Sequence, residues 1–287
     1  MLSNPDSTSM ETIFDSGCLV VHTDTLSALL VSDIHLGFHD ELSKLSGISF
    51  PSEHRSMLKK LKTLIEKHSV SSLYIIGDLK HTISPDSSFN WQTIPNFMTQ
   101  LSENTDVILI PGNHDGAIES LLPRNIKVAD VRGVVLCKTE DCSIGLVHGH
   151  AWPSPEVIDS RMIVIGHSHP SLTRTRVVSA RLPGRQTRRR YAGPLPVILR
   201  SRLNKNCLRE NIGIPQGQED SDGVLITLPS FNTLISGLPL NQQGAKLQGP
   251  LFESGCVDLP TSEVYSIDGV FLGSVEFLQA QSNETIK

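Results

Sequence analysis

Short apolar runs recur along the chain, and most of them stop at a polar cluster instead of running on. Residues 18–22 and 26–32 read as two strands joined at Thr23-Asp24-Thr25, the second apolar enough to be buried on both faces. Met57, Leu58, Leu61, Leu64 and Ile65 recur at helical spacing, which predicts a helix over 53–68 capped by Ser52. A short buried strand follows at 73–76, then a helix at 90–103 interrupted by Pro95. Next come a strand at 106–110 and a short helix at 116–122, stopped by Pro123. Residues 131–137, 143–147 and 162–165 read as further strands. From 172 the pattern changes: 172–203 is Arg-rich, with Pro183, Gly184, Gly193, Pro194 and Pro196, and 204–222 is polar with little periodicity. We therefore read 1–287 as one domain carrying a basic, mobile insertion at about 171–222. Strand signals return at 224–228, 257–259, 264–267 and 270–272, with Asp268-Gly269 as a two-residue hairpin turn.

Composition changes this picture little. At 38% hydrophobic and 19% charged, the 287 residues are those of an ordinary globular protein with a sizeable core. Residues 1–15 lack the basic and apolar regions of a signal peptide, and no run approaches the ~20 apolar residues of a membrane helix. Cys18, Cys137, Cys142, Cys207 and Cys256 are odd in number and scattered. They predict buried or free thiols in a reducing cytoplasm and no cysteine zinc site.

Charge changes it more. Eleven Lys or Arg and no Asp or Glu lie between Ser171 and Arg209, in a chain whose net charge is −5. Such a segment would attract a polyanion, and Tyr191 beside Arg188, Arg189 and Arg190 is suited to stack on a base. The competing reading is that this segment pairs with acidic residues of the same chain.

The candidate chemistry sits at the strand ends. Five predicted strands run into Asp33-Ile34-His35, Gly77-Asp78, Gly112-Asn113-His114-Asp115, His148-Gly149-His150 and Gly166-His167-Ser168-His169. Sites in open α/β sheets lie outside the carboxyl ends of strands, so these clusters should converge. Asp33, His35, Asp78, Asn113, His148, His167 and His169 offer more donors than one ion takes, and suit two divalent ions bridged by Asp78. Imidazole with carboxylate and amide oxygen favours Mn, with Fe, Zn, Ni or Co as alternatives, over calcium. The two-residue spacing of Asp33 with His35, and of His167 with His169, would put each pair on one face of an extended segment. His150 competes with His148 as the ligand. His114 reads as a proton donor held by Asp115, whereas His22, His39, His54 and His68 fall outside the clusters. Any one cluster is readily explained as turn chemistry. Five in this order are not.

The same series, from Asp33-x-His35 through Gly166-His167-x-His169, resembles the signature of the calcineurin-like metallophosphoesterases. The resemblance implies an α/β (α+β) fold, a four-layer α-β-β-α sandwich with two central mixed sheets and a dinuclear metal centre at the strand ends. It implies that Asp33, His35 and His169 hold one ion and Asn113, His148 and His167 the other, with Asp78 between them. His114 would be the general acid and Asp115 would tune it. Where the family often has Gly-Asp-x-x-Asp, this chain has Gly77-Asp78-Leu79-Lys80-His81. That departure leaves the ligands in place but alters the hydrogen bonding around them, making Lys80, His81 and His150 candidates for supporting ligands or touching substrate. A narrower resemblance is carried by Gly37, Gly47-Ile48, Pro51, Leu228-Pro229-Ser230-Phe231-Asn232, Gly237 and Asn241. It is to phosphoesterases related to exonuclease SbcD, including those linked to DNA ligases.

The expected activity is therefore metal-dependent hydrolysis of phosphodiester bonds, most simply in nucleic acid. The alternatives are a phosphatase or small-nucleotide phosphodiesterase using the same centre, and a catalytically silent metal-binding scaffold. The expected partners are a nucleic-acid or nucleotide phosphodiester and a second copy of the chain as a homodimer, with no membrane.

Overall fold

The computed structural model describes residues 10–84, 87–139, 142–182, 185–217 and 222–284, with backbone alone at 175–182, 185–192 and 283–284. Its first half contains β1 (Glu11–Asp15), β2 (Cys18–His22), β3 (Ser27–Ser32), α1 (Phe38–Ser46), α2 (His54–His68), β4 (Ser72–Ile76), α3 (Ser88–Leu101), β5 (Asp106–Ile110), a 3-10 turn (Ile118–Leu121) and β6 (Lys127–Val128). The six strands form one sheet in the order β1-β2-β3-β4-β5-β6. Its first two pairs are antiparallel and the rest parallel.

The second half contains β7 (Val134–Lys138), β8 (Ser143–Leu146), α4 (Pro155–Ile158), β9 (Met162–Ile165), β10 (Pro170–Leu182), β11 (Arg185–Asn204) and α5 (Lys205–Asn211). It ends with β12 (Asp222–Thr227), β13 (Leu238–Pro239), α6 (Pro250–Glu253), β14 (Glu263–Ser266), β15 (Phe271–Ser274) and α7 (Val275–Glu284). These nine strands make a second mixed sheet, β13-β10-β11-β12-β9-β8-β7, with β14 paired to β11 and to β15.

Alternation along the strands explains the layers. On β3, Leu29 and Val31 join Met57, Leu61 and Leu64 of α2 and Ile94, Phe97 and Met98 of α3 in one core. Leu30 turns the other way and meets Ile144, Leu146, Val164, Ile198 and Ile226 of the second sheet. Beyond that sheet, Val157, Ile158, Leu208 and Leu251 of α4, α5 and α6 pack on Ile163, Ile165 and Leu225. Helices thus cover both outer faces of two stacked sheets, the four-layer arrangement the motif series implies.

Several expectations need correction. The helix over 53–68 starts at His54 without a side-chain cap, and the Ser52 hydroxyl lies 2.6 Å from His54 Nδ1 instead. α3 runs through Pro95 because Ile94, Phe97, Met98 and Leu101 are buried. Burying each such side chain is worth roughly 1.5–3 kcal/mol, together more than the ~3 kcal/mol cost of an interior proline. Residues 257–259 form only the isolated bridge Leu203 to Val257. The Arg-rich stretch is not an irregular loop: β10 and β11 pair from Ser171 with Pro196 to Leu182 with Arg185. β11 then continues through buried Val197, Ile198 and Leu199 into the second sheet, and those three residues anchor it.

The cysteines also differ from expectation. Cys137 is bonded to Cys142 across the β7–β8 turn, and Cys207 to Cys256 between α5 and the chain beyond α6. Cys18 alone among the described cysteines is a free thiol, and it is buried. Pairing 49 residues apart depends on tertiary proximity, which scattered spacing does not reveal. Four of the five cysteines are therefore not the thiols expected of a reducing compartment. No helix among the described residues is long and apolar enough to cross a membrane.

Candidate metal centre

The five clusters follow β3, β4 and β5, adjacent parallel strands of the first sheet, and β8 and β9, adjacent parallel strands of the second. All five therefore open at carboxyl ends, where the two sheets face each other. The chains leaving β3 and β4 stay paired: Asp33 N–H donates to Gly77 O at 3.2 Å, His35 N–H to Asp78 O at 2.8 Å and Leu36 N–H to Leu79 O at 2.8 Å.

Convergence is achieved by strained backbone and not by the extended geometry expected from the two-residue spacing. Asp33, His35, Asp78, His167 and His169 have φ of 55°, 45°, 49°, 64° and 43°. A left-handed conformation costs a non-glycine residue roughly 1–2 kcal/mol, so five within one cluster persist only because the surroundings impose them. Two neighbouring glycines supply room: a Cβ at Gly112 would strike the Asp78 carboxylate, and one at Gly166 would strike that of Asp33.

Asp78 Oδ2 is 3.5 Å from both His35 Nε2 and His148 Nε2. Asp33 Oδ1 lies 3.1 Å from His169 Nε2 and 3.9 Å from His35 Nε2. His148 Nε2 is 3.3 Å from Asn113 Oδ1, while its Nδ1 is 3.0 Å from Ile76 O. With Nδ1–H donated to that carbonyl, Nε2 is the nitrogen that a cation would take on displacing its proton. The His167 ring centre lies 5.1 Å from that of His148, and His167 N–H donates to Asp33 Oδ2 at 3.0 Å. His150 stands behind, its ring centre 5.2 Å from His148 and 6.1 Å from His167.

Three groups of donor atoms, Asp33 with His35 and His169, Asp33 with Asp78 and His148, and His35 with His81 and His114, each lie within 4.8 Å of one another. Asp33 Oδ1, His35 Nε2 and His169 Nε2 are buried without a hydrogen bond. Asp33 Oδ1 and His169 Nε2, 3.1 Å apart, offset each other in part, and a cation among the three atoms would satisfy them all. Burial opposes ionisation of Asp33, but His169 and His148 hold its carboxyl below the ordinary range. Burial likewise opposes the charge on His148, but Asp33 and Asp78 push it up to about 9. Burial depresses His35 to about 3, and burial with His148 depresses His167 to about 4, leaving both as neutral nitrogen donors. Nitrogen, carboxylate and amide oxygen together suit borderline divalent ions.

The sequence profile of the family described as Calcineurin-like phosphoesterase matches residues 26–179, which span every one of these donors. The chain is a calcineurin-like phosphoesterase. It is thus a metal-dependent hydrolase of phosphoric esters, and its donor set fits the dinuclear site of that family. No curated protein matches the sequence. The solved structure of Pseudomonas putida nuclease MPE is similar at 20% identity and a TM-score of 0.50, over 92% of this chain and 100% of that one. Yfce, a phosphoesterase from E. coli, is similar over 52% of this chain and 73% of its own, at 17% identity and a TM-score of 0.33.

The central turn of the phosphoesterase divides its roles differently from the expectation. His114 is not held by Asp115: its Nδ1 lies against the carbonyl of His81, and its Nε2 is 3.9 Å from Asp78 Oδ2. Asp115 instead fixes the turn, accepting from Gly112 N–H at 2.9 Å, Leu79 N–H at 3.3 Å and Lys80 N–H at 3.2 Å. A carboxylate two positions past Asn113 reaches these donors because the chain doubles back between β4 and β5. Asp115→Ala should lower stability by about 3 kcal/mol or more, since three backbone donors lose their acceptor in a site 3% exposed. Chemical denaturation of the metal-free protein would read this, and an unchanged midpoint would mean the turn holds itself.

Lys80 is fully buried and its ammonium donates to the carbonyls of Thr82, Ile83 and His114, so it ties the loops after β4 and β5 together instead of facing substrate. His81 packs between His35 and His114. The side chains of Arg188, Arg189, Arg190 and Tyr191 lie outside the described residues.

The late-chain motif has a structural role that residue chemistry alone does not reveal. Ser230 Oγ donates to Asp33 O at 2.8 Å, and the buried Asn232 amide donates to Ile34 O at 3.2 Å and His35 O at 3.3 Å. Leu238 N–H donates to His169 O at 2.8 Å, beside Gly237. Asn241 brackets Thr173, accepting from its N–H and donating to its carbonyl. Each of these residues fastens a loop that carries candidate donors or the strand that follows one.

Proposed function

We propose that this phosphoesterase hydrolyses phosphodiester bonds of nucleic acid with two divalent ions, Mn foremost. The observation that carries the reading is the meeting of five strand ends: Asp33, His35, Asp78, His148 and His169 bring donor atoms together in two groups, and Asn113 and His167 adjoin His148. Asp33, His35 and His169 would hold one ion, and Asn113, His148 and His167 the other, with Asp78 shared. When bound, the ions supply Lewis-acid charge against the phosphate and lower the pKa of water.

The chain's own groups complete the reaction. His114 is only partly buried, and with Nδ1–H donated to the His81 carbonyl its Nε2 lies beside the donor cluster, 3.9 Å from Asp78 Oδ2, where a proton on it would face a bound ester. In-line attack of water on phosphorus breaks the ester bond, and the departing oxygen takes that proton. Asp115 and Lys80 keep the turn in place but do not touch the reacting atoms.

Nucleic acid is supported by the nuclease among the similar structures and by the cationic segment ending at Arg209. The resemblance of Leu228-Pro229-Ser230-Phe231-Asn232 to the branch related to exonuclease SbcD supports the same reading. Two of the cations are spoken for within the chain, since Arg200 pairs with Glu263 and Arg209 with Asp159. The test is a panel of polynucleotides, mononucleotides and phosphopeptides under one metal condition. Polynucleotides should be cut, and their binding should weaken steeply with salt, with a log-log slope of roughly −0.7 to −0.9 per neutralised phosphate. Turnover confined to mononucleotides or phosphopeptides, with flat salt dependence, sinks the nucleic-acid assignment.

A further inference from the structure

His81 stands where the family pattern often has an aspartate, and both of its ring nitrogens are engaged. Its Nδ1 is 3.4 Å from His35 Nδ1, and its Nε2 is 2.8 Å from Glu41 Oε2, in the first turn of α1. Phe38 meets the His81 ring edge-on at 4.8 Å and His114 stacks on it at 5.4 Å, so the ring cannot turn freely. Glu41 has no proton to give when ionised, so it accepts from His81 Nε2–H. His81 Nδ1 then bears a lone pair, and the facing His35 Nδ1 must carry the hydrogen between them. The consequence falls on His35 Nε2, which is left unprotonated, buried and without a hydrogen bond, 3.5 Å from Asp78 Oδ2.

We propose that Glu41, acting through His81, is the positioning carboxylate that fixes the tautomer and orientation of His35 as a metal ligand. This rests on the reading of His35 as a ligand. Glu41 touches neither substrate nor ion, and its half-exposed side chain contributes no core packing, so its removal should leave the fold intact.

Metal titration of the metal-free protein, with bound ions counted per chain and 15N spectra of the histidines recorded, tests the relay. In Glu41→Ala one of the two ions should bind about 10–100-fold more weakly, the cost typical of losing an outer partner of a ligand. The other should bind as in the unaltered protein, and the melting temperature should not change. The His35 and His81 ring nitrogens should lose their fixed tautomers. Glu41→Gln, which keeps an accepting oxygen, should recover most of the affinity. Equal affinity for both ions and unchanged 15N shifts in Glu41→Ala overturn the relay alone, as does loss of both ions together with a lowered melting temperature. An unaltered chain that binds no ion overturns the dinuclear reading, and the relay with it. Three ions per chain would mean that His35, His81 and His114 themselves bind metal, which also overturns it.

Discussion

Replacing His114 by alanine should lower kcat on a phosphodiester by about 10²–10⁴-fold, the usual contribution of a positioned general acid, while two ions remain bound. The separation follows from geometry. The His114 ring is held by the His81 carbonyl and by stacking on His81, and its Nε2 lies 3.9 Å from Asp78; its donor atom groups with His35 and His81 and with neither set that contains Asp33. Its backbone N–H donates to Asp78 Oδ1 at 2.8 Å, and alanine keeps that bond. The loss should be smaller for an ester with a good leaving group such as p-nitrophenolate, which departs without a proton. An equal loss on good and poor leaving groups, or loss of metal in His114→Ala, would remove His114 from the acid's role.

Asp78→Asn should be the most damaging single change. Asp78 faces His35 and His148 at 3.5 Å each, and it orders the turn through His114 N–H. Asparagine preserves the shape and an accepting oxygen but removes the charge on which a shared ligand depends. Metal content should fall below two ions per chain, and hydrolysis should fall by far more than the ~10–100-fold typical of outer partners. Metal analysis and turnover on the same preparation read this together. Two retained ions with near-normal turnover would show that Asp78 does not bridge.

The donors were legible in the sequence because short apolar runs mark buried parallel strands, and such strands deliver their end residues to one edge. The manner of convergence was not legible. Alternation suggests an extended Asp33-Ile34-His35, whereas positive φ at Asp33 and His35 is imposed by pairing with the loop after β4 and by Asn232. The Arg-rich β10–β11 hairpin was hidden because arginine and proline carry little strand preference, and its anchor of Val197, Ile198 and Leu199 is only three residues long. Glu41 was missed for a similar reason. The helix that bears it, Phe38–Ser46, is only nine residues long, and the partner of Glu41, His81, lies far along the chain. The disulfide Cys207 to Cys256 and the role of Asp115 depend on contacts between distant or doubled-back segments, which no local pattern encodes.

Metal-dependent diester hydrolysis is the activity on which every role assigned above depends. Bis-p-nitrophenyl phosphate should be inert to the chelated protein and hydrolysed after Mn or Ni is restored, with activity saturating at two ions per chain. Absence of hydrolysis with any divalent metal, in protein that remains folded, would contradict it.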